Sequence, residues 1–562
     1  MSTEMTILFI VVLGFLAFAA ACIYSNYKYR KRMEKKIKRA WGARPDREYD
    51  YEEFDAISHF FNLRKKEGFY IDDITWNDLE MDNIFMLMNN TWSCVGESYL
   101  YNMLRTPEYS PEELKRRDDL VEYFLKHDKE RSDLQYAFAR IGKTGRTSIF
   151  DYVYNLAGLE RRSNLKNYIC IAALAASVAF TFVMPQYGVL LIIASLCYGW
   201  STYYSEKRKV EPYIMSCSAV VLMMDAAAKL EKIKTPEMSE YIKSMAEARR
   251  KLSRFKRNSF FFIAGGSGDA GGGLEKVLID YINYTFRVDL IQFNTLIVEL
   301  KANLDAFEQL TDSMGMLESA MAIASFRLQY PQYCKPVLVN TRKAYLQAEN
   351  VYHPMIDEPV KNSISVDRGV LLTGSNASGK STFLKTVAIN AVLAQTVYTC
   401  MADSYEGCYY QIYTSMALRD DLISQESYYI VEIKSLKRIL DHVGDEIPLL
   451  CFVDEVLRGT NTVERIAASS QILKSMARRN IMCFAATHDI ELTSILESDY
   501  NNYHFQEEVK EDDILFNYRL YEGRATSRNA IKLLGIIGYS PDIIKKAEHS
   551  AEQFVETGEW SL

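Results

Sequence analysis

The chain has 562 residues, 25% of them charged and 48% hydrophobic, which points to several folded domains and excludes a disordered or fibrous protein. A formal net charge of −7 excludes the global basic footprint of a nucleic-acid binder while leaving room for local basic faces. The ten cysteines are scattered, with no C-x-x-C pair and no histidine at zinc-finger spacing, so they read as reduced, structural thiols in a cytosolic environment.

In chain order, the first predicted element is an apolar helix over Met5–Tyr24, uncharged and close to the ~20 residues needed to cross a hydrocarbon core. A basic run, Lys28–Arg39, follows it. A cleaved leader is the competing reading, but MSTE carries no positive charge and the basic cluster lies on the far side of the apolar run. Residues 51–165 have an amphipathic helical pattern, with turns at Thr106-Pro107 and Ser110-Pro111. Tyr168–Met184 and Tyr187–Tyr204, separated by Pro185 and Gln186, read as a second and third span forming a hairpin; a buried core hairpin is the alternative. Arg161, Arg162 and Lys166 before it and Lys207, Arg208 and Lys209 after it place the rest of the chain on the cytoplasmic side. Tyr24, Tyr27, Tyr198, Trp200 and Tyr203 suit an interfacial aromatic belt.

Residues 207–334 return to a helical pattern, interrupted by AGGSGDAGGGL at Ala264–Leu274. Gly266, Gly268 and Gly271 satisfy G-x-G-x-x-G, but the run after them is helical, without the further β-α units and acidic strand end of a dinucleotide site. From about residue 335 onward β-branched runs alternate with helical ones, the pattern of an α/β domain.

The chemistry concentrates in this last part. Gly374–Thr382, GSNASGKST, fills G-x-x-x-x-G-K-[ST] where a strand ends and a helix begins, so Gly374, Ser375, Asn376, Ala377, Ser378, Gly379, Lys380, Ser381 and Thr382 form a candidate phosphate loop. Lys380 reaches the β- and γ-phosphates of ATP and the Ser381 hydroxyl ligates Mg²⁺ in this reading. Pro448–Glu455 is a buried strand ending in two acids. Asp454 is placed to hold Mg²⁺ and Glu455 to polarise the attacking water. A third strand, Ile481–Ala486, ends in Thr487-His488, and His488 is a candidate sensor of the γ-phosphate; a structural histidine is the bland alternative.

The order GSNASGKST, Asp420–Leu440, DEVLRGTNT at Asp454–Thr462 and FAATHDIELT at Phe484–Thr493 resembles the ATPase domain of the MutS family of DNA mismatch repair proteins. YHPMID at Tyr352–Asp357 and the run Tyr518–Ala547 extend the likeness, and Thr91–Phe124 and Gly315–Phe326 resemble the start and end of that family's helical core. The resemblance implies an α/β P-loop ATPase domain of ABC type after an all-α core, and a dimer with composite ATP sites. Ser427 and Glu432 then belong to a segment reaching toward the partner's nucleotide, Arg458 and Thr460 line the same interface, and His353 approaches the base. Leu457 and Arg465 stand where the family usually has glycine, which puts the geometry after Asp454-Glu455 in question.

No Phe-x-Glu wedge of a mismatch-reading domain stands in the first part of the chain. Phe505-Gln506-Glu507 and Phe554-Val555-Glu556 match it in letters but lie inside or after the ATPase. The glycine stretch falls where the family's DNA-gripping clamp leaves the core, so Gly265–Gly273 is expected to cap a shortened clamp.

The expected organisation is a transmembrane helix and basic segment over 1–50, a helical core over 51–165, a transmembrane hairpin over 166–206, the rest of the core over 207–334, and the ATPase over 335–562. The expected protein is a membrane-anchored MutS-like ATPase lacking the mismatch-recognition domain. It sits at the inner membrane of a bacterium with core and ATPase in the cytoplasm, homodimeric through its ATPase domains, using ATP and Mg²⁺ and engaging DNA. An ATP-driven switch acting on a membrane or protein partner without DNA is the other reading. Basic clusters at Lys28–Arg39 and Arg249–Arg257 fit either a membrane or solvated face or a phosphate backbone.

Overall fold

The computed structural model describes residues 3–64, 68–155, 163–257, 274–375, 378–416, 428–444, 446–458, 460–510, 513–525, 531, 534, 538–557 and 560. Asn376, Ala377, Ser427 and the glycine stretch Gly265–Gly273 lie outside them. The chain divides into two compact units: residues 1–65, 85–103 and 116–329 in one, and 66–84, 104–115 and 330–562 in the other.

The described part of the first unit is helical. Its longest helices are Thr3–Ala40, Pro185–Leu230 and Leu304–Gln329. The last is buried along most of its length, from Ala306 to Arg327. Its Glu318 carboxylate meets the start of helix Cys94–Arg105, where it accepts from the backbone amides of Trp92 and Ser93 and from the Ser93 hydroxyl. Gly96 permits the crossing: a Cβ there would lie 2.2 Å from Glu318 Oε2. Burial pushes the Glu318 carboxyl up to about 7, against the pull of those three donors and of Lys143.

The hairpin differs from its sequence reading. The two helices are Leu165–Thr181 and Pro185–Leu230, so Pro185 opens the second helix instead of lying in the turn, a position where its missing N–H costs nothing. That helix also runs on past Tyr204, through the charges Glu206–Lys209 and through Pro212. Among the described residues it alone is long and apolar enough to cross a membrane, where the sequence suggested three spans, and 67% of its most apolar stretch is buried. Apart from Gly188, Tyr203 and Val210, its buried residues begin at Ser216. The expected hairpin presents apolar side chains outward instead, with Phe182 88%, Leu190 64% and Tyr198 67% exposed.

The described part of the second unit is α/β. Strands β1 (Val337–Val339), β2 (Leu346–Val351), β3 (Asn362–Val366) and β5 (Ser404–Cys408) form a four-stranded sheet in the order β1-β5-β2-β3. Strands β4 (Gly369–Thr373), β6 (Gln411–Ser415), β7 (Leu449–Asp454), β8 (Ile481–Ala486), β9 (Tyr500–Lys510) and β10 (Asp513–Glu522) form a six-stranded sheet in the order β10-β9-β4-β8-β7-β6. All its neighbours are parallel except β9 and β10. β4 and β8 are buried at every position, as expected of parallel strands covered on both faces. Helix Lys380–Thr396 follows β4 and is buried from Thr386 to its last residue, which fixes the loop between strand and helix.

Candidate functional site

Three parallel strands end level with one another. β4 and β8 are in register at Leu372 and Ala486, and β8 and β7 at Ala486 and Asp454. Two backbone bonds carry the register past the strand ends, Thr487 N to Leu372 O at 3.0 Å and Glu455 N to Ala486 O at 2.9 Å. The carboxyl ends of such strands are where open α/β sheets leave a crevice. Here they carry Gly374-Ser375, Asp454-Glu455 and Thr487-His488.

Beyond β4 the chain turns at Gly374, whose φ of +148° and close neighbours, Phe505 O and Ser378 Oγ at 2.8 and 2.9 Å from a hypothetical Cβ, leave no place for a side chain. Lys380 opens the following helix, and its buried ammonium donates to the carbonyls of Gly374 and Ser375, both at 2.8 Å. Burial lowers its pKa, while the charges of Asp454 and Glu455 oppose the shift. Ser381 Oγ donates to Asp454 Oδ2 at 2.5 Å. Asp454 Oδ1 and Ser378 Oγ are buried and have no hydrogen-bond partner among the described residues. Buried polar atoms are rarely left so. An orphaned carboxylate oxygen beside a serine hydroxyl suits an oxygen-seeking divalent cation that keeps most of its own water, and the site therefore fits Mg²⁺.

Glu455 and Leu457 both adopt left-handed backbone, at φ +61° and +60°. His488 Nε2 lies 2.8 Å from Glu455 Oε1, and Arg458 pairs with Oε2. Burial works to raise the Glu455 pKa, but the hydrogen bonds and charges of His488 and Arg458 outweigh it and hold the carboxyl below its usual range. Glu455 is thus ionised at neutral pH and aimed by two partners.

Glu432, assigned by resemblance to a segment crossing a dimer, has its carboxylate turned into its own chain. It is buried on helix Tyr428–Asp441 and accepts from the amides of Leu457, at 2.5 Å, and Arg458, at 3.1 Å. Those two donors consume the group and anchor the loop after β7. Thr460 is near the surface, its hydroxyl bonded to Glu464 at 3.2 Å. Arg465 is held by Asp489, its Nε and NH2 at 2.9 and 2.6 Å from the two carboxylate oxygens. That bidentate pair fixes the residue next to His488.

His353 lines a cavity of about 520 Å³ whose walls include Gly379, Thr382, Phe383, Phe505 and Tyr518. Burial first, then the charge of Lys385, lowers its pKa to about 4, against Glu80. Met355 N donates to its Nδ1 at 3.2 Å, so the neutral ring carries its proton on Nε2. Sequence reasoning missed the contribution of β9 and β10 here. Phe505 packs against the phosphate loop, and Glu507 accepts from Ser375 Oγ at 2.8 Å. The triplet dismissed as a chance match therefore lines the loop, and no local spacing signals it.

Residues 370–555 match the family model of MutS domain V. MutS domain V is an ATPase domain, and the matched residues run from β4 through the three strand ends to the last helix. The DNA mismatch repair protein MutS of Pseudothermotoga lettingae is 27% identical over 266 residues, 45% of this chain and 32% of that protein. Human MutS protein homolog 4 is 28% identical over 276 residues, 46% of this chain and 29% of that protein. MutS of Thermotoga maritima is 26% identical over 277 residues, 46% of this chain and 33% of that protein. These matches liken the matched part of the chain to MutS proteins, and the chain spans about a third of the length of the curated relatives it matches.

Proposed function

We propose that the protein is a membrane-anchored MutS-like ATPase that hydrolyses ATP as a dimer and couples its nucleotide state to the engagement of DNA. The observation that carries the reading is the convergence of Lys380, Ser381, Asp454, Glu455 and His488 at three level strand ends. Residues 374–382, including Asn376 and Ala377, cradle the phosphates of ATP in an α/β P-loop domain. Lys380 exchanges its two backbone carbonyls for phosphate oxygens. Ser381 and Asp454 hold Mg²⁺, which neutralises phosphate charge when bound. Glu455, ionised and held by His488, accepts hydrogen bonding from the attacking water and orients it. His488 links that carboxylate to the end of β8 and senses the γ-phosphate. The neutral His353 cavity suits the base.

By the resemblance, Ser427, Arg458 and Thr460 belong to the dimer interface, and Glu432 acts there indirectly by holding the Arg458 backbone. DNA engagement, and mismatches in particular, come from kinship with the DNA mismatch repair relatives. Anchoring at a bacterial inner membrane, with residues 51–165 and 207–562 in the cytoplasm, is supported by the outward apolar faces of residues 165–204 and by exposed Phe9, Leu13 and Leu16 on the first helix.

The test uses the detergent-purified full chain. ATP hydrolysis is expected, abolished in Lys380→Ala and cut about 10²–10⁴-fold with ATP binding retained in Glu455→Gln. Matched and mismatched duplexes are then titrated across a salt series with and without ATP. Affinity falling steeply with salt supports DNA engagement. Absence of hydrolysis by the parent chain refutes the reading as a whole. Intact hydrolysis without duplex binding at any salt refutes its DNA part and leaves a switch acting on a membrane or protein partner.

A further inference from the structure

The first unit contains a cavity of about 710 Å³ that none of the chemistry above uses. It is walled by the end of helix Thr3–Ala40, the segment 43–49, the turn 89–92, the loop 139–144 and one face of helix Pro185–Leu230. Six cations line it, Lys36, Arg39, Arg44, Arg47, Arg140 and Lys143, against a single carboxylate, Asp46. Two of the six are compensated: Arg47 by Glu53 at 2.7 Å and Lys143 by Glu97 at 2.8 Å. Lys36, Arg39, Arg44 and Arg140 make no ion pair among the described residues.

Four such cations around one concavity give it a positive potential that favours an anion. Lys229 nearby registers the same field, held below its usual range by burial and then by the charge of Arg140. The lining also includes apolar and aromatic side chains, Met33, Trp92, Met215 and Leu222. Lys36 lies over the Trp92 ring at 5.8 Å, and Trp92 Nε1 is a buried donor with no hydrogen-bond partner among the described residues. A concave site of this size with a few convergent polar groups is the ordinary form of a small-molecule pocket.

We propose that this cavity binds a small phosphorylated ligand, its phosphates on Lys36, Arg39, Arg44 and Arg140 and its less polar part against Trp92 and Met33. The site is separate from the phosphate loop after β4 and does not depend on the ATPase reading. A phosphorylated headgroup and a free phosphorylated compound share the required chemistry. From Tyr24 to Lys36 the same helix rises roughly 18 Å, farther from the end of the apolar run than a headgroup extends, which favours the free compound.

The experiment measures binding of inorganic pyrophosphate to the detergent-solubilised full chain by calorimetry, in the parent, in Lys380→Ala and in Arg44→Ala/Arg140→Ala made on the Lys380→Ala background, which removes the phosphate loop as a second pyrophosphate site. Neither arginine carries an ion pair among the described residues, and circular dichroism checks that the double variant folds. The expected result is pyrophosphate binding that survives Lys380→Ala and weakens about tenfold for each arginine removed, roughly 100-fold in the double variant. Lysine at both positions is expected to restore most of the affinity. Competition from micelles doped with phosphatidic acid, lost in the double variant, assigns the site to a headgroup; pyrophosphate binding unaffected by those micelles assigns it to a free compound. No binding to Lys380→Ala, or binding to Lys380→Ala that the double variant leaves unchanged, overturns the proposal.

Discussion

Replacing Glu318 with glutamine tests whether a buried carboxylate governs the pH dependence of the helical unit. The parent side chain is 1% exposed, and its Oε1 accepts from the Trp92 and Ser93 amides while Oε2 accepts from the Ser93 hydroxyl. Burial disfavours the ionised form and the three donors favour it; burial wins, and the carboxyl titrates near 7 instead of 4.5. At about 1.4 kcal/mol per pH unit, that displacement amounts to about 3 kcal/mol.

The folded chain binds the proton more tightly than the unfolded chain. The stabilisation from this group is therefore fully present below about 4.5 and is lost as the pH rises through about 7. Glutamine keeps the acceptor for both amides, can donate to the Ser93 oxygen, and carries no charge at any pH. Glu318→Gln is thus expected to be close to the parent at pH 5 and more stable than it by about 2–3 kcal/mol at pH 8. Amide hydrogen exchange at Trp92 and Ser93, followed in both chains across that range, reads the difference at the site itself. A gap between variant and parent that is the same at both pH values would refute the reasoning, because it would mean that the donors and Lys143 keep Glu318 ionised throughout.

Glu432→Ala leaves the Leu457 and Arg458 amides without their acceptor, so the loop after β7 is expected to lose about 2–4 kcal/mol of local stability. Exchange at the Leu457 amide should accelerate and ATP turnover should fall while ATP binding persists; unchanged exchange would show that another group takes over as acceptor. Arg465→Met breaks the bidentate pair with Asp489 and frees the residue beside His488. The expected result is about tenfold lower kcat at an unchanged KM for ATP, with about 2 kcal/mol lost in thermal unfolding. An unchanged kcat would mean that His488 is positioned by its bond to Glu455 alone.

What the sequence displayed was whatever is contiguous. The phosphate loop, the strand ending in Asp454-Glu455 and the strand ending at Thr487-His488 each occupy fewer than about ten successive residues, and a buried parallel strand is an unbroken apolar run. What it hid was pairing at a distance. Glu432 serves amides beyond the next strand, Arg465 serves Asp489, and Phe505 and Glu507 reach back to Gly374 and Ser375. The end of the helix beginning at Pro185 was obscured for a different reason. The apolar run stops near Tyr204, but a helix ends where its backbone bonding ends, and charged residues such as Glu206–Lys209 are good helix formers.

At the two positions where the resemblance leads one to expect glycine, this chain uses its side chains in different ways. Leu457 has φ +60°, a conformation that glycine adopts freely and that costs another residue roughly 1–2 kcal/mol. Its side chain is buried with Leu436, Ile439, Val456 and Leu473, and burying a leucine returns about 2–3 kcal/mol. Its amide is fixed by Glu432. Packing and one carboxylate thus hold a left-handed turn that flexibility would otherwise supply. At Arg465 the added side chain fills no core and instead ties its helix to Asp489, next to His488. Glu455, at φ +61°, shares the strain, and its carboxylate is the group held by His488 and Arg458. Strained backbone persists only where its surroundings over-determine it. Here those surroundings are the β7–β8 register, the Glu432 carboxylate and the buried Leu457 side chain, and the residue they fix is Glu455.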